Sequence, residues 1–198
     1  MAVTTRAAGP EDAAAITETV STAFFDDPVW SWAFPDPALR SDQYSLWWPL
    51  WVDAGLRKES LWVTSGCEAA TVWTPPGAAE LSAEEAARVE PLLRRLLGAG
   101  ADDVLEGIER FDAAHPHDEP HWYLSVVATH TDHRGAGLGF ALLEGDLARI
   151  DGEHMPAYLE SSNPANNHRY ARHGFEQIGA FTPPGGEIPV TTMWREAR

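Results

Sequence analysis

The sequence predicts a mixed α/β protein built around one sheet, and three observations support that reading. Strand-like and helical patterns alternate through the second half of the chain. Two short runs, Leu61–Thr64 and Ala70–Trp73, flank a turn at Ser65-Gly66 and read as a hairpin. A glycine-rich turn, Arg134-Gly-Ala-Gly-Leu-Gly139, joins a strand to a helix.

The elements follow in order. Val3–Ala7 reads as a first strand. Gly9-Pro10-Glu11-Asp12 opens a helix with proline at its first position and acids in its first turn, and Ile16, Val20, Ala23 and Phe24 give that helix one apolar face. Asp26-Asp27-Pro28 ends it. Residues 28–58 carry Trp30, Trp32, Phe34, Tyr44, Trp47, Trp48 and Trp51, broken into short helical pieces by Pro35, Pro37 and Pro49. These rings either fill a core or line a pocket for a flat or apolar ligand.

Beyond the hairpin, Ser82-x-x-Glu85 is a capping box that starts a helix through Val89, Leu92, Leu93, Leu96 and Leu97. Pro91 is a candidate kink, and Gly98-Ala-Gly100 is the stop. Val104, Ile108 and Phe111 mark another helix. The segment His115-Pro-His117-Asp118-Glu-Pro-His121 offers three imidazoles, the commonest metal-binding side chain. Its prolines and polarity suit a solvated connection, and no matching ligand set sits elsewhere, so no metal site is expected.

Next comes a strand with Trp122, Leu124, Val126 and Ala128 on one face and Tyr123, Ser125, Val127 and Thr129 on the other. The glycine turn leads into a helix whose apolar face is Phe140, Leu143, Leu147 and Ile150. Pro156–Glu160 is a strand, Ala165–Arg172 a short helix with Gly174 at its left-handed cap, and Phe175–Ala180 and Val190–Trp194 close the chain as strands.

Composition bounds the function. The 198 residues carry 30 acids against 14 Lys+Arg, a net charge of −16. Such a surface repels nucleic acid and anionic lipid and draws in cations, unless it serves only solubility. The lone Cys67 excludes an intramolecular disulfide framework. Neither a signal peptide nor an apolar run of about 18 residues is present, so a cytoplasmic protein is expected.

The glycine turn marks an anion site, because the first amides of a helix lack internal partners and glycines let a phosphate approach them. As G-x-G-x-x-G, a dinucleotide fingerprint, it would place Gly135 and Gly137 first and needs a small residue where Phe140 stands; Glu160 imitates the ribose-binding acid. As Arg-x-x-Gly-x-Gly it fits from Arg134 to Gly139. Asn163, Tyr170 seven residues on, and Gly174-Phe175 follow at matching spacing. Over residues 121–181 the chain thereby resembles the GNAT superfamily of acetyl-CoA-dependent N-acyltransferases.

Within that superfamily it is most similar to the puromycin N-acetyltransferase type, through Val72-Trp73-Thr-Pro-Pro, Trp122-Tyr-Leu, Asp132-His133 and the Pro-Pro-Gly-Gly…Met193-Trp194-Arg195 tail. Thr129, Thr131, Asn166 and Asn167 depart from that type. The resemblance implies a GNAT fold, a mixed but mostly antiparallel twisted sheet of six or seven strands flanked by helices. It also implies a single N-acetyltransferase domain over 1–198, with an acceptor-side half at 1–120 and an acetyl-CoA-binding half at 121–198.

The implied reaction is attack of a primary amine, puromycin or a similar cationic small molecule, on the acetyl-CoA thioester through a tetrahedral intermediate. Cofactor contacts would come from Val127, Ala128, Thr129, Arg134, Gly135, Ala136, Gly137, Leu138, Gly139, Phe140, Asn163 and Tyr170. Tyr170 would be the general acid and Glu160 or His121 the base. Phe25, Asp26, Trp30, Trp73 and Tyr123 would meet the acceptor, with Asp26 or Asp27 selecting its charge. The protein would be a monomer or homodimer. A catalytically silent acyl-CoA-binding domain and a nucleotide-binding module are the alternatives. Tyr170, in register, speaks against the first, and Phe140 against the second.

Overall fold

In chain order, the computed structural model, which describes residues 3–198, runs β1 (Thr5–Ala7), α1 (Ala13–Ala23), α2 (Pro28–Ala33), α3 (Pro37–Trp47) and α4 (Pro49–Arg57). Then follow β2 (Leu61–Thr64), β3 (Ala69–Thr74), α5 (Ala83–Leu97), α6 (Ala101–Ala114) and β4 (Trp122–Thr129). The chain closes with α7 (Leu138–Gly152), β5 (Ala157–Ser161), α8 (Asn167–Arg172), β6 (Glu176–Phe181) and β7 (Val190–Arg195). The seven strands form one sheet in the order β1-β2-β3-β4-β5-β7-β6. Every pairing is antiparallel except β4 with β5. The mixed, mostly antiparallel sheet flanked by helices is the one expected.

Two apolar clusters cover the two faces. On one, Val63, Ala70, Val72, Val126 and Ala128 meet Ile16 and Val20 of α1 and the aromatic helices. On the other, Trp73, Trp122, Leu124 and Leu159 meet Leu143, Leu147 and Ile150 of α7.

The aromatic run packs inward. Phe34, Tyr44, Trp47 and Trp48 are buried, with Trp30 4.7 Å from Trp48 and Trp47 4.4 Å from Trp51 between ring centroids. Edge and tilted contacts of this kind hold the short pieces together where individual helices of six to eleven residues would not persist. Buried Arg40 pins the neighbouring loop by donating to the carbonyls of Phe25 and Phe34, both at 2.7 Å. Trp30, half-buried, packs at the edge of this core against Phe24, Trp47 and Trp48.

For Trp73 the expectation that it meets an acceptor is corrected. It is fully buried on the α7 face, and its indole N–H donates to Asp146 Oδ2 at 2.9 Å, an oxygen that also accepts from Thr71 at 2.5 Å. Burial raises the Asp146 carboxyl above its ordinary range, against those two donors. An indole whose one donor is committed inward has nothing to offer a ligand.

β4 does not alternate as a plain strand. Its register with β3 runs Val72↔Val126 and then Trp73↔Leu124, leaving Ser125 as an extra, bulged residue. Residues directly opposite share a face, so Val126 and Ala128 point to α1 while Leu124 and Trp122 point to α7. Two-sided burial hides the change, because helices cover both faces and every second residue is buried throughout. β5 pairs only with Trp122–Leu124, so β4 and β5 part at the bulge and form a fork. Among the described residues no helix is long and apolar enough to cross a membrane.

Candidate active site

Two groups of residues meet at the fork. The first is the turn before α7. After a short 3₁₀ turn at Thr131–His133, Gly135 and Gly137 take φ of 85° and 74°, the left-handed region that glycine enters without a Cβ penalty. A Cβ on Gly139 would lie 2.5 Å from Thr129 Oγ1, so α7 starts hard against the end of β4. The first bond of the helix is Ala141 N–H to the Gly137 carbonyl at 2.9 Å. Among the described residues the amides of Gly135 to Phe140 donate to no protein group, which leaves a ring of N–H donors at the positive end of a fifteen-residue helix. Arg134 bonds the Ala23 carbonyl at 2.8 Å and ties this turn to α1.

Behind the turn lies Tyr170. It is buried between Phe140 and Phe175, at 5.8 and 6.3 Å between centroids, and burial first, then the Asp27 carboxylate, pushes its hydroxyl well above the ordinary tyrosine value. Asn167 donates to Thr191 Oγ1 at 2.9 Å and holds α8 on β7. Asn163 spends its Oδ1 on the amide of Ala165 at 3.1 Å, capping the turn that leads into α8. Asp27 is also committed. Oδ1 caps α2 through Val29 and Trp30, Oδ2 accepts from Ser162 at 2.8 Å, and burial raises its carboxyl.

The second group lines a cavity of about 580 Å³ between the β3–α5 connection, the end of α6 and the start of β4. Glu160 lies one residue beyond the last β4–β5 pair, with a side chain only 3% exposed. Its nearest basic partner is His115, with Nδ1 at 3.6 Å. His115 packs on Tyr123 and Tyr158, each 4.8 Å away between centroids, and its Nε2 lies 3.1 Å from His121 Nε2. His121 Nδ1 donates to the Glu119 carbonyl at 2.7 Å, so Nε2 is the free nitrogen of the neutral ring. Burial, its largest influence, lowers the His121 imidazole. Burial and the Glu160 carboxylate raise the hydroxyls of both Tyr123 and Tyr158.

Glu160, His121 and Tyr123 are thus brought together, and Tyr170 sits apart with the glycine turn. Phe25 and Asp26 lie elsewhere: with Thr131 they line a separate cavity of about 560 Å³ along α1 and α3. In the 115–121 segment residues 117–120 are exposed, as a solvated connection would be, while His115 and His121 line the cavity. Among the described residues, no three His, Cys, Asp or Glu are grouped to hold a metal ion.

Sequence reasoning weighed His115 only as a metal ligand and missed Tyr158 and Glu80, the last of which carries no helix or motif signal of its own. For His115 a signal existed: with Val104, Ile108 and Phe111 it continues the +4, +3, +4 stripe of α6.

Fold and turn together define a forked sheet with a helix N-terminus whose free amides suit an anionic group. Residues 72–175, more than half of the chain, match the model of the Acetyltransferase (GNAT) family, and the chain belongs to that family. Among solved structures it is similar to histone acetyltransferase HPA2 and related acetyltransferase from Corynebacterium glutamicum (24% identity, TM-score 0.71, covering 100% of this chain and 98% of that one). The Drosophila melanogaster polyamine N-acetyltransferase that forms N-acetylagmatine matches at 14% identity and TM-score 0.62 over 98% of this chain and 99% of that one. An agmatine N-acetyltransferase matches at 14% and 0.61 over 99% and 100%. At these identities the likeness is one of fold.

Proposed function

We propose that the protein transfers an acetyl group from acetyl-CoA to a primary amine of a small cationic molecule. The observation that carries this is the free ring of amides from Gly135 to Phe140, in the turn that follows the strand parting from β5 beside Glu160. That ring fits a pyrophosphate: it is cationic in effect, made of backbone, and kept open by glycine. Bound acetyl-CoA would supply an acetyl thioester. β4 beyond Ser125 lacks a β5 partner, so its backbone at Val127 and Thr129 is free to pair with an extended arm, and the Val127 amide could stabilise an oxyanion.

Glu160 takes the proton that an attacking ammonium must lose, with His115 and His121 beside it to share that proton. Tyr170, kept protonated by burial, is the proton donor to the departing thiolate. The division at residue 120 fits this scheme, with the acceptor cavity drawing on both halves and the acetyl donor on the second.

The resemblance to the puromycin type makes puromycin the first acceptor to try, and a resistance role would follow from its turnover. The inward packing of the aromatic helices favours a slimmer amine. Purified protein is incubated with acetyl-CoA and a panel of amines including puromycin, while thiol release and acetylated product are followed. Thiol release matched by product mass is the expected result; failure to bind acetyl-CoA overturns the proposal.

A further inference from the structure

The cavity holds a second carboxylate that the reaction above does not use. Glu80, on the connection from β3 to α5, lines the same space as Glu160. Its Oε1 accepts from the hydroxyl of Ser125, the bulged residue at the fork, and its Oε2 bonds to no protein group among the described residues. Lys58 reaches this connection but donates to the backbone carbonyl of Glu80, not to the carboxylate. Among the described residues, no lysine or arginine lines the cavity. Two carboxylates facing one cavity whose basic side chains are imidazoles alone are costly unless a cation joins them.

An independent feature points the same way. Thr74 is 5% exposed, and its buried Oγ1 has no hydrogen-bond partner among the described residues. It stands directly opposite Tyr123 in the β3–β4 register, so both side chains lie on the cavity's face of the sheet. A buried hydroxyl without a partner is rare, and an N–H donor from a ligand would satisfy it. Ile108, Phe111 and Tyr123 supply apolar wall between the polar points.

We propose that the acceptor is an alkyl diamine, a dication whose reacting nitrogen lies at Glu160 and whose distal ammonium is held by Glu80 and Thr74. This rests on the acetyl-transfer reading for the role of Glu160. A monoamine would compensate one carboxylate and leave the other uncompensated. Acetylation turns one ammonium into a neutral amide and returns its proton to solvent, so the product carries one charge fewer and is held less tightly than the substrate.

The test is calorimetric binding of propane-, butane- and pentane-diamine, each against its monoamine, to the wild type and to Glu80→Gln. Acetyl-CoA binding is measured separately on the same proteins. The expected result is that at least one diamine binds about tenfold or more tightly than its monoamine, the size of a charge-assisted contact. Glu80→Gln removes that preference and leaves monoamine and acetyl-CoA binding in place. Should Glu80→Gln melt early, Ser125→Ala, which frees the carboxylate from its anchor, is expected to reduce the preference several-fold. Equal or undetectable binding of diamines and monoamines, or a preference that survives both variants, overturns the proposal. Loss of the acetyl-transfer reading would register differently, as failure to bind acetyl-CoA with diamine preference intact.

Discussion

The glycine turn and the acceptor cavity lie on either side of one fork, yet they are made of different material. The turn is backbone: its donors are consecutive amides from Gly135 to Phe140, and the side chains matter chiefly by being absent. The cavity is side chain: Glu80, His115, Tyr123 and Glu160 come from four segments spread over eighty residues of chain. A site built from successive amides needs one local conformation, which glycines at set spacing announce. A site built from distant side chains needs the whole sheet to be in register first. The consequence is that the donor-binding and acceptor-binding functions should fail separately when each is damaged.

The largest expected separation comes from Glu160→Gln and Tyr170→Phe. Each should lower kcat by about 10²-fold or more, in the range of general acid–base effects, with acetyl-CoA affinity unchanged. Steady-state kinetics alongside acetyl-CoA titration measures both. Wild-type turnover in either variant removes that residue's role.

Damage on the other side should invert the pattern. Gly137→Val forces a β-branched residue into φ of 74°, where nothing crowds the new side chain but the backbone conformation itself is strained by roughly 1–3 kcal/mol. Acetyl-CoA affinity is expected to fall about tenfold while acceptor binding holds. Equal loss of both ligands would mean that the two sites are not separable.

The smallest functional effect should come from Trp73→Phe. That substitution deprives buried Asp146 of a donor and should cost about 1–3 kcal/mol in stability by denaturant melt, with acceptor KM unmoved. A changed KM would return Trp73 to the acceptor site.

The same contrast explains what could be read in advance. Every strand and nearly every helix was legible, because Phe140, Leu143, Leu147 and Ile150, or the alternation along β4, reflect local periodicity. The hairpin turn expected at Ser65-Gly66 extends to Cys67, which takes the left-handed conformation with φ of 61°. Trp73 was misread because an aromatic ring looks the same in a core and in a pocket; only its neighbours decide. Glu80 was invisible because a single glutamate between a Pro-Pro-Gly turn and a capping box is indistinguishable from a surface acid. The Ser125 bulge was hidden because helices on both faces bury Leu124 and Val126 alike.

That one residue acts on β4 as a single inserted letter acts on a message. Upstream of Ser125, even-numbered side chains belong to the α7 side; downstream, to the α1 side. Deleting Ser125 would leave composition, length and hydrophobicity almost untouched and yet exchange the faces of everything on one side of the deletion. Tyr123 would be turned out of the cavity, with Trp122 thrust toward it. Most point changes along β4 should be absorbed as local repacking, whereas a one-residue deletion there should be lethal to the site. In a family sharing this sheet, chain length through β4 is then a stricter requirement than the identity of its residues.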